Sequence, residues 1–550
     1  MPTRSIRPAS SAAPAARALR ADVLVIGGGM GGVSAALAAA EAGRRVILTE
    51  EYPWLGGQLT SQAVPLDEHT WIEHFGASAS YRRLRDGIRS YYRRNYPLTA
   101  RARAQHRLNP GAGLVSRLCA EPRVAAAVID EMLAPHRASG RLVVLQPARP
   151  VAAEVKDDRV VSVTVESAGE LVELHGAYVL DATETGELLP LTGTEYVVGT
   201  ESRAETGEPS APELGDPRNV QALSWCFIIE HLDGEDHTIP RPDDYDAWRA
   251  LQPPFWGAPM IGLTAPHPRT LEVVTRDFTP TIDDDPLAQL ADQRADGGDQ
   301  ELWIFRRILA KKLFEPGFLE SDLVLVNWPM IDYLGGSIID VPQEEAARHL
   351  EQARRQSLAM LYWLQTEAPR PDGGRGWAGL RLRPDATGTA DGLAQAPYIR
   401  ESRRIRAVTT VVESDLSIAV RGDDRPATFP DSVGVGMYRI DLHPTTGGDN
   451  YLDVPSVPFE IPLGALLPIR TSNLLAAGKN VGTTHITNGA FRLHPVEWAI
   501  GEAAGQLAAF CLDRASEPRA VRSTPPLLEE FQSLLAANGV ELHWPDVRGY

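Results

Sequence analysis

DVLVIGGGMGGVSAALAAAEAGRRVILTE, residues 22–50, decides the reading of this chain. A short apolar strand, Asp22 to Ile26, runs straight into glycines, and Gly27, Gly29 and Gly32 fit the spacing G-x-G-x-x-G. The Ala-rich run from Val33 to Ala42 predicts a helix, and Arg45 to Thr49 predicts a second strand that ends at Glu50. Each part has a physical task. Gly27 permits a tight turn, Gly29 lets backbone approach a pyrophosphate, and Gly32 lets helix and strand pack closely. The helix N-terminus offers free N–H groups and the positive end of a dipole to an anion. Glu50 stands 18 residues after Gly32, where an acid can take ribose hydroxyls. Strand, turn, helix, strand and acid in this order predict a dinucleotide-binding βαβ unit.

Working outward, Trp54-Leu55-Gly56-Gly57-Gln58-Leu59-Thr60 follows the second strand, and its paired glycines suit close passage of backbone past a ligand. Residues 67–110 carry Arg and the aromatics Tyr81, Tyr91, Tyr92 and Tyr96, and predict helices inserted into the nucleotide domain. Val124 to His136 predicts a further helix. Strands flank Lys156-Asp157-Asp158 as a hairpin. The strand Tyr178 to Leu180 then leads into Asp181-Ala182-Thr183-Glu184-Thr185-Gly186, returning the chain to the first domain. Glu344 to Thr366 predicts an amphipathic helix with Ala347, Leu350, Ala353, Leu358, Leu361 and Leu364 inward. Strands are expected at Ala407 to Val412, Met437 to Leu442 and Leu474 to Ala477, and a helix at Glu497 to Leu512.

Composition narrows the function. The 550 residues carry a formal net charge of −18, which argues against nucleic acid, since phosphate binding needs clustered Lys and Arg. Hydrophobic residues make up 43%, enough for a large core, yet no run has the length of a membrane span. The three cysteines, Cys119, Cys226 and Cys511, are far apart and form no C-x-x-C, so neither a redox disulfide nor a metal cluster is expected, and a cytoplasmic setting fits. The triplet Asp283 to Asp285 reads as a solvated loop, with no metal site expected. Residues 1–20 read as a disordered leader.

Four separated segments line up: the first βαβ with Glu50, the LGGQLT loop, the strand ending at Gly186, and NLLAAGKNVGTTHITNGAFRLHPVEWAIGEAAGQLAAFC from Asn473. Together they resemble FAD-dependent oxidoreductases of the glutathione-reductase-like superfamily, related to the fumarate-reductase flavoproteins. Asn327-Trp328-Pro329 with Asp332-Tyr333, and Tyr398 with Arg400-Glu401, resemble the same family more loosely. The resemblance implies FAD, with the ADP half at Gly27, Gly29, Gly32 and Glu50, the pyrophosphate passed by Gly56, Gly57 and Gln58, Gly186 beside the cofactor, and Gly478 and Asn480 near the flavin. It lacks a second G-x-G-x-x-G, a C-x-x-x-x-C, and the His-Thr-x-x-Gly-Gly of covalent flavin attachment. Non-covalent FAD follows, without a built-in NAD(P)H domain or disulfide chemistry. Lys479 after Gly478, where aromatic hydroxylases carry Asp, weighs against hydroxylation.

The expected fold is α/β: a discontinuous Rossmann-like FAD-binding domain (21–66, 141–200 and 466–515) with a mainly helical insertion (67–140), an inserted α+β substrate domain (201–465) and a C-terminal extension (516–550). The expected function is FAD-dependent oxidation of a small organic molecule, with electrons passing to O2 or another acceptor. An NAD(P)H-fed monooxygenase and a non-catalytic flavin-bound protein are the alternatives. Flavin chemistry needs a C–H held over the ring and often one base. His485, Asn488, Arg492 and His494 crowd into one short stretch of the C-terminal segment. His485 or His494 is the candidate base and Arg492 the candidate anion holder, against a structural reading in which the histidines satisfy loop carbonyls and Arg492 pairs with Glu497. Arg400 is a second candidate grip for a substrate carboxylate, or else an ion pair with Glu401.

Overall fold

In the computed structural model, which describes residues 17–291 and 300–550, the chain begins with β1 (Arg17–Arg20). Arg17–Arg20 therefore do not belong to a disordered leader: this strand pairs in parallel with β7 (Glu170–His175). Residues 1–16 of the expected leader lie outside the described residues. β5 (Ala148–Lys156), β6 (Arg159–Ser167) and β7 form an antiparallel meander, with the expected turn at Asp157 and Asp158.

The centre of the molecule is a five-stranded parallel sheet. Its order is the strand Leu474–Ala476, then β8 (Tyr178–Asp181), β2 (Val23–Ile26), β3 (Val46–Thr49) and β4 (Leu142–Leu145). β2 is wholly buried and reads VLVI without polar alternation, as a strand covered on both faces must. Three stretches far apart in the chain (23–49, 142–181 and 474–476) thus converge on one sheet, the arrangement of a discontinuous Rossmann-like unit.

Helix α1 (Met30–Glu41) leaves the glycine turn and is buried on every side except at Glu41. One side packs on the sheet and the other on the helix His494–Arg514. Small residues permit this. A Cβ on Gly31 would stand 1.8 Å from the Ala477 carbonyl oxygen, and Cβ atoms on Gly501 and Gly505 would stand 1.9 Å and 2.3 Å from the carbonyl oxygens of Gly31 and Ala35. Gly501 and Gly505 are four apart and share one face of the helix. The two backbones touch, which larger residues would prevent.

Residues 201–465 build sheets of their own. The largest is antiparallel, in the order Arg307–Leu309, Leu323–Val326, Phe227–His231 and Leu380–Leu382. The long helix Gln343–Thr366 packs near it, but its buried stripe differs from the expected one. Ala347 is exposed, whereas the polar Gln356 is buried because it donates to the carbonyls of Met330 and Asp332, each at 3.2 Å. Side-chain hydrogen bonding, which periodicity does not register, sets the inward face. Residues 407–412 form no strand. They run as extended chain with single bridges, Ala407 to Pro468 and Val411 to Thr483, since no neighbouring strand lies alongside to pair with. The expected strand at 437–442 is reduced to Ile440–Leu442. Asp283, Asp284 and Asp285 lie in a loop as expected: Asp283 and Asp285 are exposed and pair at the surface with Lys312 and Arg101, while Asp284 pairs with the buried Arg307. Among the described residues, no His, Cys, Asp and Glu cluster could hold a metal ion, and no helix is long and apolar enough to cross a membrane.

Candidate functional site

The glycine turn has the geometry its spacing predicts. Gly27 takes φ +98°, and a Cβ there would lie 2.3 Å from the Ala182 carbonyl oxygen. A Cβ on Gly32 would lie 1.9 Å from the Gly27 carbonyl oxygen, closing strand onto helix. Gly29 differs: a Cβ there would meet only the carboxylate ends of Glu184 at 3.1 Å and Glu497 at 3.4 Å. The turn is therefore walled by backbone on two sides and by movable side chains on the third, the side toward the α1 N-terminus. Glu50 closes the fourth, accepting from the Gly28 N–H at 2.9 Å and the Tyr52 N–H at 2.8 Å. Burial pushes its carboxyl up to about 8, against the Tyr52 hydrogen bond and with help from the Glu184 charge.

The Gly56-Gly57 loop folds over this turn. The Gly56 N–H donates to the Gly28 carbonyl at 2.7 Å, and Gly56 and Gly57 take φ +113° and +49°, conformations glycine adopts without strain. Gln58 then bridges to the C-terminal segment, donating to the Arg492 carbonyl at 3.0 Å and to the Glu497 carboxylate. Lys479 donates to Glu184 at 2.6 Å and lies 3.9 Å from Glu497. The Glu497 Oε1 stands 3.4 Å from where a Gly29 Cβ would lie, so an internal carboxylate lies near the anion-attracting end of this helix. Burial raises the Glu497 carboxyl, Lys479 opposes this and Glu184 adds to it. Asn480 donates to the Asp181 carbonyl at 3.0 Å. Gly478 lies alongside, where a Cβ would be 3.5 Å from Glu497. Gly186 takes φ +68° against Arg403, two residues past the Glu184 carboxylate.

A model of the FAD dependent oxidoreductase family matches residues 22–535. The chain belongs to this family. No curated protein matches it. Among solved structures, the p-nitrophenol 4-monooxygenase PnpA from Pseudomonas putida is 13% identical over 95% of this chain and 88% of that one, with a TM-score of 0.34. A geranylgeranyl bacteriochlorophyll reductase-like protein from Thermoplasma acidophilum is 13% identical over 96% and 85%, with a TM-score of 0.30. The L-proline dehydrogenase from P. horikoshii is 15% identical over 34% of this chain, which spans 25% of that dehydrogenase, with a TM-score of 0.19. Likenesses this distant carry no information about substrate.

The cofactor of the family is FAD, and the residues present fit it. At Gly29 the turn is bounded mainly by movable carboxylate ends, the Gly57 backbone packs against it, and the buried Gln58 Oε1 and Asn480 Oδ1 have no partner among the described residues. The residues expected at the cofactor are distributed around the glycine turn: Gly56, Gly57, Glu50 and Gln58 contact it or its neighbours directly, Gly478 lies near Glu497, Asn480 donates to Asp181, and Gly186 packs against Arg403.

A cavity of about 240 Å³ lies beyond Asp441 and is lined neither by Gln58 nor by the segment 473–512. Its wall includes Glu68, Phe305, Arg306, Asn327, Trp328, Tyr438 and Asp441. Arg492 reaches this wall indirectly. It donates to Asp441 Oδ2 and to the Tyr398 hydroxyl, both at 2.9 Å, and not to Glu497. His494 accepts from the Asp67 N–H at 3.1 Å. Burial lowers it to about 3, with the Arg306, Lys479 and Arg492 charges acting the same way, so its ring is neutral and a weak base at neutral pH. His485 is tied 2.9 Å from Glu401, and Arg400 lies 3.1 Å from Asp332 while donating to Ser224 at 3.0 Å. Neither lines the cavity. The expected ion pair of Arg400 with Glu401 is replaced by one with Asp332, because Glu401 is held by Arg404 and His485. Trp328 lines the cavity, whereas Tyr333 turns away to His349.

The residues that sequence reasoning missed are Asp67, Arg306 and Asp441. Asp67 and Arg306 stand 3.8 Å apart, and burial raises the Asp67 carboxyl against the pull of Arg306. No local pattern marks them. Only Asn327-Trp328 had a signal, through the family resemblance.

Proposed function

We propose that the protein is a dehydrogenase or oxidase that removes hydrogen from a small organic molecule held in the 240 Å³ cavity, using non-covalently bound FAD. The observation that supports this is the indirect link between the cavity and the glycine loop: Asp441 of the wall is held by Arg492, whose carbonyl accepts from Gln58. FAD supplies hydride acceptance and hands electrons on to O2 or another acceptor. The protein supplies the rest. Gly27, Gly29 and Gly32 with Glu50 hold the ADP half. Gly56, Gly57 and Gln58 hold the pyrophosphate, and Gly478 and Asn480 the flavin side. Residues 201–465 serve as the substrate domain, since Phe305, Arg306, Asn327, Trp328 and Tyr438 of the wall come from it.

Arg492 anchors Asp441 in the wall and places a cation behind it. His494, neutral and bonded through Nδ1, carries its proton on Nε2 and serves as a donor rather than a base. Non-covalent attachment is supported by His485 and His494 both being engaged elsewhere.

Purified protein should be yellow and release FAD on heat denaturation. Mixed anaerobically with a metabolite panel, its flavin should bleach with a matching donor and without NAD(P)H. Rapid bleaching by NADPH alone would establish the monooxygenase reading instead, and no bleaching by any donor would leave a flavin-bound binding protein.

A further inference from the structure

The wall of the cavity contains buried polar groups that the fold does not satisfy. Arg306 Nε and Nη1 are buried without a hydrogen-bond partner, as are both amide atoms of Asn327 and the indole Nε1 of Trp328. This is unusual, because buried polar groups in folded proteins are almost always paired. Arg306 is held in place by its neighbour, with the guanidinium carbon 5.2 Å from the centre of the Phe305 ring. Asp67, at 3.8 Å, attracts it without reaching hydrogen-bond distance. The other carboxylates of the wall cannot serve Arg306 either. Glu68 is held by Arg85, Asp441 by Arg492 and Asp453 by Arg439.

The unsatisfied set has a definite composition. It offers one guanidinium, one indole N–H and one amide NH2 as donors, the Asn327 carbonyl as acceptor, and the unpartnered Tyr451 hydroxyl, which can serve as either. A ligand that completes it brings several acceptor oxygens with negative charge and one donor hydrogen. We propose that the cavity binds a small carboxylate, held at its anionic end by Arg306, whose adjacent hydroxyl or amine meets Asn327. A 2-hydroxy or 2-amino acid has this composition. The assignment rests on the cavity being the substrate site proposed above. A guanidinium suits a carboxylate better than an ammonium would, since its planar N–H array matches the carboxylate oxygens.

The test uses the FAD-loaded protein and isothermal titration calorimetry. Three 2-hydroxy acids of increasing bulk (lactate, 2-hydroxyisocaproate and phenyllactate) are each compared with their own amide and with the acid lacking the hydroxyl. At least one 2-hydroxy acid should bind ten or more times tighter than its amide and measurably tighter than its deoxy analogue. Arg306→Met should remove the acid-over-amide preference, and Asn327→Leu should remove the preference for the hydroxyl while keeping the charge preference. Arg306→Lys should keep part of the charge preference, which separates loss of charge from loss of fold. The proposal is overturned if no acid binds, if acid and amide bind equally to the wild-type protein, or if Arg306→Met retains the preference. Flavin absorbance in the same samples separates the two readings. Tight acid binding with no bleaching by any donor leaves the anion site standing and removes the oxidation reading. Bleaching by neutral donors, with no acid bound, does the reverse.

Discussion

The glycine turn and the cavity wall are built on opposite plans. At the turn, specificity lies in backbone: Gly27, Gly31 and Gly32 each stand where a Cβ would strike a main-chain carbonyl, and the nearby Gln58, Glu184, Lys479 and Glu497 pair among themselves, leaving the acceptor oxygens Gln58 Oε1 and Asn480 Oδ1 unpartnered. In the cavity wall specificity lies in side chains, and Arg306, Asn327 and Trp328 are left with unpaired polar atoms. The first region is closed mainly by backbone, with two acceptor oxygens left open, as suits the proposed recognition of a constant part of its ligand. The second is left unfinished, and a buried unsatisfied group is tolerated where a ligand completes it.

The sharpest way to break this comparison is at the backbone contact itself. Gly31→Val puts a side chain 1.8 Å from the Ala477 carbonyl and should destabilise the protein by about 3 kcal/mol or more, enough to abolish soluble expression. Gly29→Val meets only the carboxylate ends of Glu184 and Glu497, so the protein should still fold, with FAD occupancy lost. Melting curves and heat-released FAD measured on both variants check this, and equal unfolding of the two would erase the distinction.

A smaller effect is expected at Glu401. Burial opposes its charge, but His485 and Arg404 outweigh burial and hold its carboxyl down at about 2, against an ordinary value of 4.5. A depressed carboxyl contributes stability that is complete above the unfolded value and disappears as pH falls from about 4.5 toward 2. At neutral pH the contribution is on the order of 3 kcal/mol. Glu401→Gln should lower the melting temperature at pH 7 and bring the variant and wild-type curves together near pH 2. A difference that stays constant with pH would assign the loss to packing.

Arg492 tests whether the two regions act together. Arg492→Met should leave FAD bound, because no cofactor-cleft side chain depends on its guanidinium. Substrate-driven bleaching of the flavin should fall about 100-fold, roughly 2.7 kcal/mol at a tenfold change per 1.36 kcal/mol. Stopped-flow reduction at the wild-type rate would remove Arg492 from the active site.

The smallest effect concerns Glu497, whose carboxylate lies near the α1 N-terminus where the pyrophosphate is expected. Its ionised form competes with a bound anion, and burial raises its carboxyl, so FAD affinity should weaken as pH rises through its titration. Glu497→Gln should tighten FAD about tenfold at pH 8, about 1.4 kcal/mol, and flatten the pH profile. Fluorescence titration of flavin-free protein reads both, and parallel profiles for the two proteins would show that Glu497 does not compete.

What the sequence by itself determined follows from range. The βαβ unit is legible because Gly27, Gly29, Gly32 and Glu50 act through contacts within one short stretch, and backbone geometry leaves few residues able to serve there. The strand Leu474–Ala476 and the helix after Pro495 were legible for the same reason, as an apolar run and an N-terminal proline. Tertiary structure alone decided the cavity. Glu68, Arg306 and Asp441 of its wall come from three distant segments, and each is an ordinary charged residue in its own neighbourhood. The histidines show the same limit from the other side. His485 and His494 look alike in sequence, yet one is held by Glu401 and the other is neutralised by burial among Arg306, Lys479 and Arg492. Charge, partner and basicity depend on what is packed around a side chain, and only the folded chain sets that.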